Sequence, residues 1–409
     1  MRSTSEVRRP KTDGFDVAVI GAGPAGAVAA RDLARSGARV ALIDGSHPRE
    51  KPCGGGVTGR ALAVLGSDLD FLCSQRVENR DLTPSAARAI TSVVFQAGGR
   101  EVRVPLPDER YLQVFPRAAF DAALLRQAQD AGAELIPSRA TTLTRTGDGW
   151  RVATAAGSID AGWLLGADGA SGIVRKQVFR PFSRSQISVA AGAYVDDVET
   201  SEIVIAFVDQ PRGYLWSFPR PGHLAVGTCA QADETTADRM RAVTHDWLDA
   251  YGPAEARSRR SYSWPIPSLS AADLAAEQPA GDRWMLLGDA AGLVDPITRE
   301  GIFFAIRSGQ FAADAMGSAD PGARYSSLIR KDIHAELRRA ARLKAGFYRP
   351  RFTRLLVDAL SVSPAIRRVM IDLVAGRQPY RGLKRRLFST CELRLMGRLV
   401  ATNLGDRAS

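Results

Sequence analysis

Residues 16–44 read DVAVIGAGPAGAVAARDLARSGARVALID, and this stretch decides the class of fold. A short β-branched run is followed by a glycine-rich turn, an alanine-rich helical pattern and a second β-branched run that ends before Asp44. Gly21, Gly23 and Gly26 have the spacing of a turn whose backbone lies against a pyrophosphate at the N-terminus of a helix. An acidic residue after the second strand suits the hydroxyls of a ribose. The stretch therefore predicts a βαβ unit that binds a dinucleotide.

The composition is that of an ordinary globular protein. The chain has 409 residues and a mass of 43.9 kDa, with 45% hydrophobic and 24% charged residues, which fits two or three domains with their own cores. No uncharged apolar run reaches the roughly 18 residues that a membrane-spanning helix needs. The 38 glycines and 22 prolines show no triplet period. The composition therefore argues against a disordered chain, a collagen-like fibre and a transmembrane helix.

The cysteines and the N-terminal segment indicate a reducing compartment. Cys53, Cys73, Cys229 and Cys391 are far apart and form no CxxC pair, and the chain has 4 histidines, so neither a disulfide framework nor a metal site is expected. Residues 1–15 carry four basic side chains and no apolar segment, which predicts a disordered arm rather than a secretory signal. We therefore expect a cytoplasmic protein.

The net charge of +11 is concentrated at the C-terminal end of the chain. Residues 321–409 contain 20 Lys plus Arg and 6 Asp plus Glu, so the preceding part is slightly acidic. From residue 325 onward apolar residues recur at helical spacing, which predicts amphipathic helices with a basic surface. Such a surface suits an anionic lipid surface or an acidic substrate, and the alternative is a basic face that contacts only water. No nucleic-acid-reading module accompanies the charge, so we do not expect binding of nucleic acid.

The order of the predicted elements indicates an α/β protein in which two kinds of sheet alternate along the chain. We expect a Rossmann-like nucleotide-binding domain interleaved with an antiparallel β-sheet substrate domain, followed by a C-terminal helical module. The expected segments are 16–86 with 115–175 and 280–320 for the nucleotide-binding domain, 87–114 with 176–279 for the β-rich substrate domain, and 321–409 for the basic helical module.

Two further segments point to a particular nucleotide. Residues 163–175 read WLLGADGASGIVR, and residues 285–302 read MLLGDAAGLVDPITREGI. Together with residues 16–44 they resemble the flavoprotein superfamily of p-hydroxybenzoate hydroxylase-like enzymes, in which such segments imply contacts to FAD. The resemblance extends from Asp16 to about Phe311. It predicts that the dinucleotide is FAD.

The residue types at these positions suit a flavin. Asp289 follows a buried strand, where its carboxylate can hold a ribityl or ribose hydroxyl or can cap a turn. Gly301 and Ile302 open the next helix, so their amides can face the flavin pyrimidine edge and stabilise the anionic reduced ring. Asp168 can tie its loop to the cofactor or act only as a turn residue, and Arg117 can contact the flavin or remain a solvated first-turn arginine. The predicted FAD contacts are Gly21, Gly23, Pro24, Ala25, Gly26, Asp44, Cys53, Gly54, Gly56, Arg117, Ala140, Asp168, Asp289, Gly301 and Ile302.

Two shorter motifs narrow the resemblance. Residues 51–56 read KPCGGG, and residues 211–219 read PRGYLWSFP. Both resemble the geranylgeranyl reductase family, whose members share a PCGG segment and a P-x-x-Y-x-W-x-F-P segment. The glycines following Cys53 allow the backbone to lie against the isoalloxazine ring and the thiol to reach the ring or the substrate. The alternative is a small residue that only shapes the loop.

The second of these motifs predicts a binding wall for the substrate. Tyr214, Trp216 and Phe218 alternate, so they point to one face of a strand and can line an elongated apolar cavity that suits a branched hydrocarbon. The alternative is packing in the core.

The family resemblance implies reduction of isolated C=C bonds in a prenyl chain by reduced FAD. The chain would be carried by a lipid, chlorophyll-like or quinone headgroup, and NAD(P)H or ferredoxin would supply the electrons. Cys53 and Tyr214 are the candidate proton donors. A prenylated substrate resides in a bilayer, so the basic C-terminal helices predict peripheral attachment to the inner face of the membrane. Arg299 stands where many members of the family have glycine, and we expect its side chain to turn outward to solvent rather than to bind an acidic headgroup or an electron donor.

Two other functions share the flavin motifs. A flavin monooxygenase or halogenase is disfavoured because Ala291-Gly292 replaces the Ala-His pair frequent in hydroxylases and no lysine lies between Lys51 and Lys176. A quinone-linked electron-transfer flavoprotein would need an iron–sulfur domain or partner, which the scattered cysteines do not provide.

Overall fold

The computed structural model describes residues 14–66, 87–108, 111–253 and 259–390. Cys73, Cys391 and the predicted arm as far as residue 13 lie outside the described residues. The described strands are, in chain order, β1 (Phe15–Ile20), β2 (Val40–Ile43), β3 (Gly56–Thr58), β4 (Arg88–Ala89), β5 (Ser92–Ala97), β6 (Arg100–Pro105), β7 (Leu112–Val114), β8 (Glu134–Ile136), β9 (Ala140–Arg145), β10 (Trp150–Thr154), β11 (Gly157–Gly166), β12 (Ile187–Asp196), β13 (Glu202–Val208), β14 (Gly213–Arg220), β15 (His223–Gln231), β16 (Arg259–Pro267), β17 (Ala280–Gly281) and β18 (Trp284–Leu286).

Helices account for most of the remaining described chain. The α-helices are α1 (Pro24–Arg35), α2 (Gly59–Leu65), α3 (Arg117–Asp130), α4 (Ile173–Val178), α5 (Ala237–Tyr251), α6 (Ala271–Ala276), α7 (Ile302–Met316), α8 (Pro321–Leu328), α9 (Ala335–Phe347), α10 (Pro350–Val362), α11 (Pro364–Val374) and α12 (Leu383–Phe388). Two 3-10 turns (Arg184–Gln186 and Gly288–Ala291) and a π-helical segment (Ile329–His334) lie between them.

An eight-stranded sheet forms the nucleotide-binding half, with the parallel strands β18, β11, β1, β2 and β8 in that order. β1 begins at Phe15, one residue inside the segment that the sequence assigns to an arm, and its four last residues are buried. Because parallel strands end at the same edge of a sheet, residues that follow them along the chain meet there. Gly21, Asp44, Asp168 and Asp289 are brought to this edge, each within three residues of the end of its strand.

The turn between β1 and α1 requires glycine at two positions. Gly21 has a φ of 103°, and a Cβ there would lie 2.4 Å from the carbonyl oxygen of Ala167. A Cβ at Gly26 would lie 1.8 Å from the carbonyl oxygen of Gly21, so the helix reaches the strand only with glycine at this position. Pro24 occupies the first turn of the helix, where a missing N–H removes no intrahelical bond. The glycine spacing is therefore required for the packing of the turn, and it also lets a ligand approach the backbone.

A seven-stranded sheet forms the second half, in the order β16, β12, β15, β14, β13, β5 and β6. Neighbouring strands are antiparallel except for β13 and β5, which run parallel. Helix α5 covers one face, where Leu215, Val226 and Leu248 form a cluster. The opposite face carries a cluster that includes Trp216 and Tyr262. The two faces follow from the alternation of side chains along β14 and β15.

The C-terminal helices pack on both halves of the protein. Leu356 and Leu360 of α10 pack in one cluster with Phe95 of β5, and Val369 of α11 packs in another with Ile297. Within the described ranges, no helix has both the length and the apolar character that a bilayer span requires. The helices thus contribute to the walls of the space between the two sheets.

A buried ion pair joins the nucleotide-binding sheet to the segment that follows the second sheet. Arg175 of α4 donates two hydrogen bonds to the carboxylate of Glu277, at 2.7 and 2.9 Å, and one to the carbonyl oxygen of Ala290 at 3.2 Å. The two side chains are 1% and 2% exposed, and the guanidinium lies 3.6 Å from the ring centre of Phe182. Removing one partner would leave the other charge buried without compensation.

Glu277→Ala is expected to lower the free energy of unfolding by about 3–5 kcal/mol, because it strands the Arg175 guanidinium in the interior. Asp160→Ala is the matched control, since Asp160 forms a two-bond pair with Arg151 at the surface, where such a pair contributes about 1 kcal/mol or less. Urea unfolding followed by circular dichroism measures both changes. Equal losses in the two variants would contradict a special role for the buried pair.

Candidate functional site

The N-terminus of α1 has the properties of a phosphate-binding site. Gly23 is the N-cap residue and provides no side-chain cap, so amide groups of the first turn lack intrahelical partners. A Cβ at Gly23 would have the His47 ring 3.6 Å away as its nearest neighbour, so backbone is accessible there. Free amides and the helix dipole favour an anion at this point. The turn therefore fits the pyrophosphate of a dinucleotide, as the sequence predicts.

Asp44 is held ionised beside this turn. Its carboxylate accepts hydrogen bonds from the backbone N–H groups of Ala22, at 2.8 Å, and of Ser46 and His47. Burial favours its neutral form, but hydrogen bonds from His47, Ala22 and Ser46 hold the pKa of Asp44 well below its usual value. His47 also approaches Asp121 at 3.5 Å through Nε2. A negatively charged acceptor at the end of β2 fits the hydroxyls of a ribose.

Asp168 caps the helix that follows its loop. Its Oδ2 accepts a hydrogen bond from the backbone N–H of Val174 at 3.0 Å, while Oδ1 is buried without a partner. Burial raises the pKa of Asp168 to about 6, against the effect of the backbone hydrogen bonds. The Cα of Asp168 lies 3.0 Å from the position that a Cβ on Gly21 would take. Asp168 thus acts as a turn residue in the structure, and its contact with the cofactor stays a prediction.

Asp289, Gly301 and Ile302 lie together where the last strand of the first sheet leads into α7. Lys51 Nζ donates a hydrogen bond to Asp289 Oδ2 at 2.9 Å. Gly301 is the N-cap of α7, and a Cβ there would lie 3.3 Å from Asp289 Oδ1. Lys51 belongs to the KPCGGG segment, so this ion pair joins two of the sequence motifs. The sequence did not single out Lys51.

The glycine loop at residues 53–56 packs directly on the aromatic strand β14. A Cβ on Gly54 or Gly56 would lie 2.7 or 2.8 Å from the ring of Phe218. Gly55 has a φ of 78°, and a Cβ there would lie 2.4 Å from the carbonyl oxygen of Phe115. Side chains are excluded from all three positions by these neighbours. The PCGG and aromatic motifs are therefore two sides of one contact.

Two buried arginines hold this loop. Arg220, which follows the aromatic motif, donates hydrogen bonds to the carbonyl oxygens of Cys53 and Gly54 and forms an ion pair with Glu50. Arg117 donates two hydrogen bonds to Asp121, at 2.8 and 3.0 Å, and its Nη1 lies 3.5 Å from Cys53 Sγ. The alternative of a solvated Arg117 is wrong, because its side chain is 3% exposed. The sequence missed Arg220, whose only signal was its position directly after the F-P pair.

One cavity runs between the two sheets and the C-terminal helices. Eight of the predicted flavin contacts line it, namely Pro24, Cys53, Gly54, Gly56, Arg117, Asp289, Gly301 and Ile302. Tyr214, Trp216 and Phe218 line it along β14, and Met370, Leu373 and Val374 of α11 line it at the C-terminal helices. Carbon atoms therefore form most of the wall, and the charged groups of Lys51, Arg117 and Asp289 are among its polar parts.

Glycine at position 227 makes room for the indole of Trp216. A Cβ on Gly227 would lie 2.4 Å from Trp216 Cζ2 and 2.7 Å from the hydroxyl of Tyr262. The Tyr262 hydroxyl donates to the carbonyl oxygen of Val226 at 2.8 Å. The indole consequently lies close to the backbone of β15 and presents its surface to the cavity.

Tyr214 is tied to the loop that precedes Gly301. Its hydroxyl donates a hydrogen bond to the carbonyl oxygen of Thr298 at 3.0 Å, and its ring stacks on Tyr348 of the C-terminal helices. Burial raises the pKa of Tyr214 well above its usual value. The side chain thus links the second sheet to the predicted flavin loop in addition to lining the cavity.

Ala140 and Arg299 are the two remaining positions that the sequence singles out. Ala140 begins β9 and is buried in the core of the first sheet, and its contact with the cofactor stays a prediction. The expectation that Arg299 turns outward to solvent is wrong, because its side chain lines the cavity and donates hydrogen bonds to Ser268 Oγ and the carbonyl oxygen of Pro296. The reason is that β16 ends next to this loop and offers a hydroxyl acceptor inside the protein, which the sequence does not reveal.

Comparison with known proteins agrees with this arrangement. A model of the FAD binding domain matches residues 14–342. The chain therefore belongs to this family of flavoproteins, and the predicted cofactor, FAD, is consistent with the glycine turn, the ionised Asp44 and the carboxylate of Asp289.

The more specific resemblance is also confirmed. Over 344 residues the chain is 28% identical to the chloroplastic geranylgeranyl diphosphate reductase of Oryza sativa subsp. japonica, covering 78% of this chain and 70% of that protein. It is 31% identical over 340 residues to the menaquinone reductase of Mycobacterium tuberculosis, covering 78% and 80% of the two chains. The crystal structure of a geranylgeranyl bacteriochlorophyll reductase-like protein from Thermoplasma acidophilum has a TM-score of 0.71, with 22% identity and coverage of 92% and 99%, and so shares the fold.

Gly26→Ala is expected to weaken binding of FAD by about tenfold or more, because the added methyl group would push α1 away from Gly21 and misplace the amides of the first turn. Gly147→Ala is the control, since that glycine has no atom within 4 Å of a Cβ and no positive φ. The flavin absorbance that remains with the protein after gel filtration, together with titration of apoprotein by FAD, measures the effect. Full flavin retention by the Gly26 variant would refute the predicted role of this turn.

Proposed function

We propose that this chain is an FAD-dependent reductase that saturates isolated C=C bonds of a geranylgeranyl-type prenyl chain on a lipid, chlorophyll-like or quinone carrier. The observation that carries the proposal is the single cavity that joins the predicted flavin contacts to an aromatic and aliphatic wall. A prenyl chain offers length and methyl branches and almost nothing that hydrogen-bonds, so it matches such a wall. The name of the rice relative supports a geranylgeranyl substrate, and the name of the mycobacterial relative supports a reductase that acts on a quinone.

The side chains of the cavity would orient the alkene and exclude water. Trp216, Phe218 and Tyr214 form a stiff wall along β14, and rigid aromatic groups position an apolar ligand at a low cost in conformational entropy. Met370 and Leu373 adapt to the methyl branches from the opposite side. The chemistry that bound, reduced FAD supplies is hydride transfer to one alkene carbon, while the other carbon takes up a proton. A dry cavity prevents loss of the reactive electrons to solvent.

Cys53 and Tyr214 are the proposed sources of the proton. Cys53 Sγ lines the cavity within hydrogen-bond distance of Arg117 and Arg220, which hold it in place. The Tyr214 hydroxyl already donates a hydrogen bond to the carbonyl oxygen of Thr298. Its pKa is raised, so it is a weaker acid than an ordinary tyrosine. We therefore favour Cys53 over Tyr214 as the proton donor.

The electron donor and the location complete the proposal. NAD(P)H or reduced ferredoxin would provide the two electrons for each bond. The basic C-terminal helices would attach the cytoplasmic protein to the inner face of a membrane, since α11 and α12 expose Arg368, Lys384 and Arg385 together with Phe388, which is 54% exposed. Each well-placed cation near an anionic surface contributes about 1 kcal/mol. Helix α11 exposes Arg368 and also lines the cavity, so attachment through this helix would shorten the path of a prenyl chain from the bilayer.

Anaerobic incubation of dithionite-reduced protein with a prenyl diphosphate, a prenylated phospholipid and a menaquinone tests the reaction. Mass spectrometry is expected to show products heavier by two hydrogens for each saturated bond. Cys53→Ala and Tyr214→Phe in the same assay compare the two proton sources, and the first is expected to lose more activity. Products that gain oxygen or halogen in aerobic turnover, with no hydrogenated product, would reject the proposal in favour of a monooxygenase or halogenase.

Trp216→Ala is expected to lower kcat/KM for a prenyl substrate by about tenfold or more while FAD stays bound, because the variant loses the wall that positions the alkene. Trp247→Ala is the matched control: it removes the same side chain from the opposite face of the sheet, where Trp247 Nε1 bonds to Gln96. Steady-state turnover and the flavin spectrum give the two readings. Loss of FAD from the Trp216 variant would make this residue a structural part of the flavin site instead.

A further inference from the structure

Arg299 has a backbone conformation that costs an arginine energy. Its φ is 59°, in the left-handed region that glycine adopts freely and that side chains other than Asn and Asp rarely adopt. The backbone on either side is fixed by a hydrogen bond from Arg299 N–H to the carbonyl oxygen of Asp295 and by one from Asp295 N–H to the carbonyl oxygen of Glu300. A strained residue held in a loop beside a predicted active site points to a functional side chain.

The side chain of Arg299 is one of the residues that line the cavity, and two hydrogen bonds hold it. Nη1 donates to Ser268 Oγ at 2.5 Å and to the carbonyl oxygen of Pro296 at 2.6 Å, whereas Nε is buried without a partner. Both acceptors are neutral. The guanidinium therefore retains donor capacity toward the space that it lines.

The groups around Arg299 do not neutralise it. Apart from Lys344, its titratable neighbours are Tyr348, Cys229 and Tyr214, and burial raises the pKa of each of these three, so all three are uncharged at neutral pH. Among the described residues no carboxylate forms an ion pair with Arg299. A cation enclosed without a counterion is unfavourable, and an anionic ligand would remove this cost.

Lys344 of α9 brings a second cation to the same hydroxyl group. Its Nζ donates to Ser268 Oγ at 2.7 Å and to Gln231 Oε1 at 2.6 Å. The two charged side chains thus meet at one small neutral acceptor, where Arg299 lines the cavity and Lys344 adjoins it through Ser268. Burial, and then the charge of Arg299, lower the pKa of Lys344 to about 7, while Cys229 and the more distant carboxylates of Glu234 and Asp233 oppose this shift.

We propose that Arg299 and Lys344 form a binding site for a phosphate-type anion at the wall of the cavity. Guanidinium and ammonium groups side by side suit the several oxygens of a phosphate better than those of a neutral headgroup. This inference rests on the proposed function and deepens it, because it adds a negatively charged headgroup to the prenyl ligand. A free phosphate ion has the same chemistry, and the experiment below separates the two sources.

The experiment measures binding to the FAD-loaded, oxidised protein, in which the cofactor blocks the phosphate site at α1. Isothermal titration and the flavin spectrum follow geranylgeranyl diphosphate, geranylgeraniol, which lacks the phosphates, and inorganic sulfate. The wild-type protein is expected to bind the diphosphate about tenfold or more tightly than the alcohol. Arg299→Gly, which also suits the positive φ, is expected to abolish this difference while affinity for the alcohol changes by less than about twofold.

Control variants separate the site from general electrostatics. Arg342→Gln removes an exposed cation of α9, the helix that carries Lys344, and is expected to retain the discrimination. Lys344→Met is expected to lose most of it. Sulfate that competes with the diphosphate but not with the alcohol identifies the headgroup as the source of the bound anion. Tight sulfate binding that leaves the diphosphate unaffected would overturn the headgroup assignment.

The pH dependence provides an independent reading. Lys344 must be protonated to bind an anion, and its pKa is about 7 in the free site. Sulfate keeps its charge, so its affinity is expected to fall as pH rises from 6 to 9, by up to about tenfold per pH unit above the pKa. The fall should vanish in Lys344→Met. A pH profile identical in both proteins would overturn the participation of Lys344.

The other anion that Arg299 could serve is the reduced flavin itself. If Arg299→Gly lowered the flavin midpoint potential but left the diphosphate-to-alcohol preference intact, the proposed site would be refuted. The readout is also independent of the reductase proposal. Discrimination that depends on Arg299 in a protein that hydrogenates no prenyl chain would retain the anion site and reject the reaction, and hydrogenation without such discrimination would do the reverse.

Discussion

The contact between the glycine loop and the ring of Phe218 determines the geometry of the whole site. Gly54 and Gly56 let backbone lie within van der Waals distance of the ring, and Arg220 fixes the loop by donating to its carbonyl oxygens. The loop follows β2 of the first sheet, whereas Phe218 and Arg220 belong to the second sheet. This contact therefore sets the spacing of the two sheets, and the cavity is the space that remains between them. A side chain at Gly54 or Gly56 would widen that spacing.

The buried arginines of the protein differ in whether a carboxylate neutralises them. The pairs of Arg175 with Glu277 and of Arg117 with Asp121 are each closed by two hydrogen bonds, and both belong to the framework around the site. Arg299 differs, because its acceptors are the neutral Ser268 hydroxyl and the carbonyl oxygen of Pro296, and among the described residues no carboxylate pairs with it. Hydrogen bonds within a buried pair offset part of the desolvation cost of its two charges, whereas a buried cation without a counterion leaves that cost uncompensated. The paired arginines thus stabilise the framework of the cavity, whereas Arg299 is available to an anionic ligand.

The C-terminal helices are amphipathic, with an apolar stripe on one side and basic side chains on the other. Their apolar stripe predicts packing, and the structure shows that part of it, at Met370, Leu373 and Val374, lines the cavity rather than the core alone. Basic side chains such as Arg368, Lys384 and Arg385 are exposed on the outer surface, whereas Lys344 turns inward to Ser268. Tyr348 and Tyr380 connect this module to the loop before Gly301, through the carbonyl oxygen of Ile297 and the carboxylate of Asp295. The helices thus fix the predicted flavin loop and close the cavity with the same segment of chain.

The sequence by itself determined the βαβ unit, the interleaved sheets, the helical C-terminus and the identity of the flavoprotein family. These features depend on local rules: glycine where φ is positive or space is absent, alternation in strands, and helical periodicity. It also placed Tyr214, Trp216 and Phe218 on one face, since alternation fixes the direction of side chains. Only the tertiary structure decided that Lys51 meets Asp289, that Arg220 holds the glycine loop and that Arg299 turns inward. Each of these depends on a partner more than thirty residues away, and the direction of a long, flexible, charged side chain follows from the acceptors around it rather than from its own sequence neighbours.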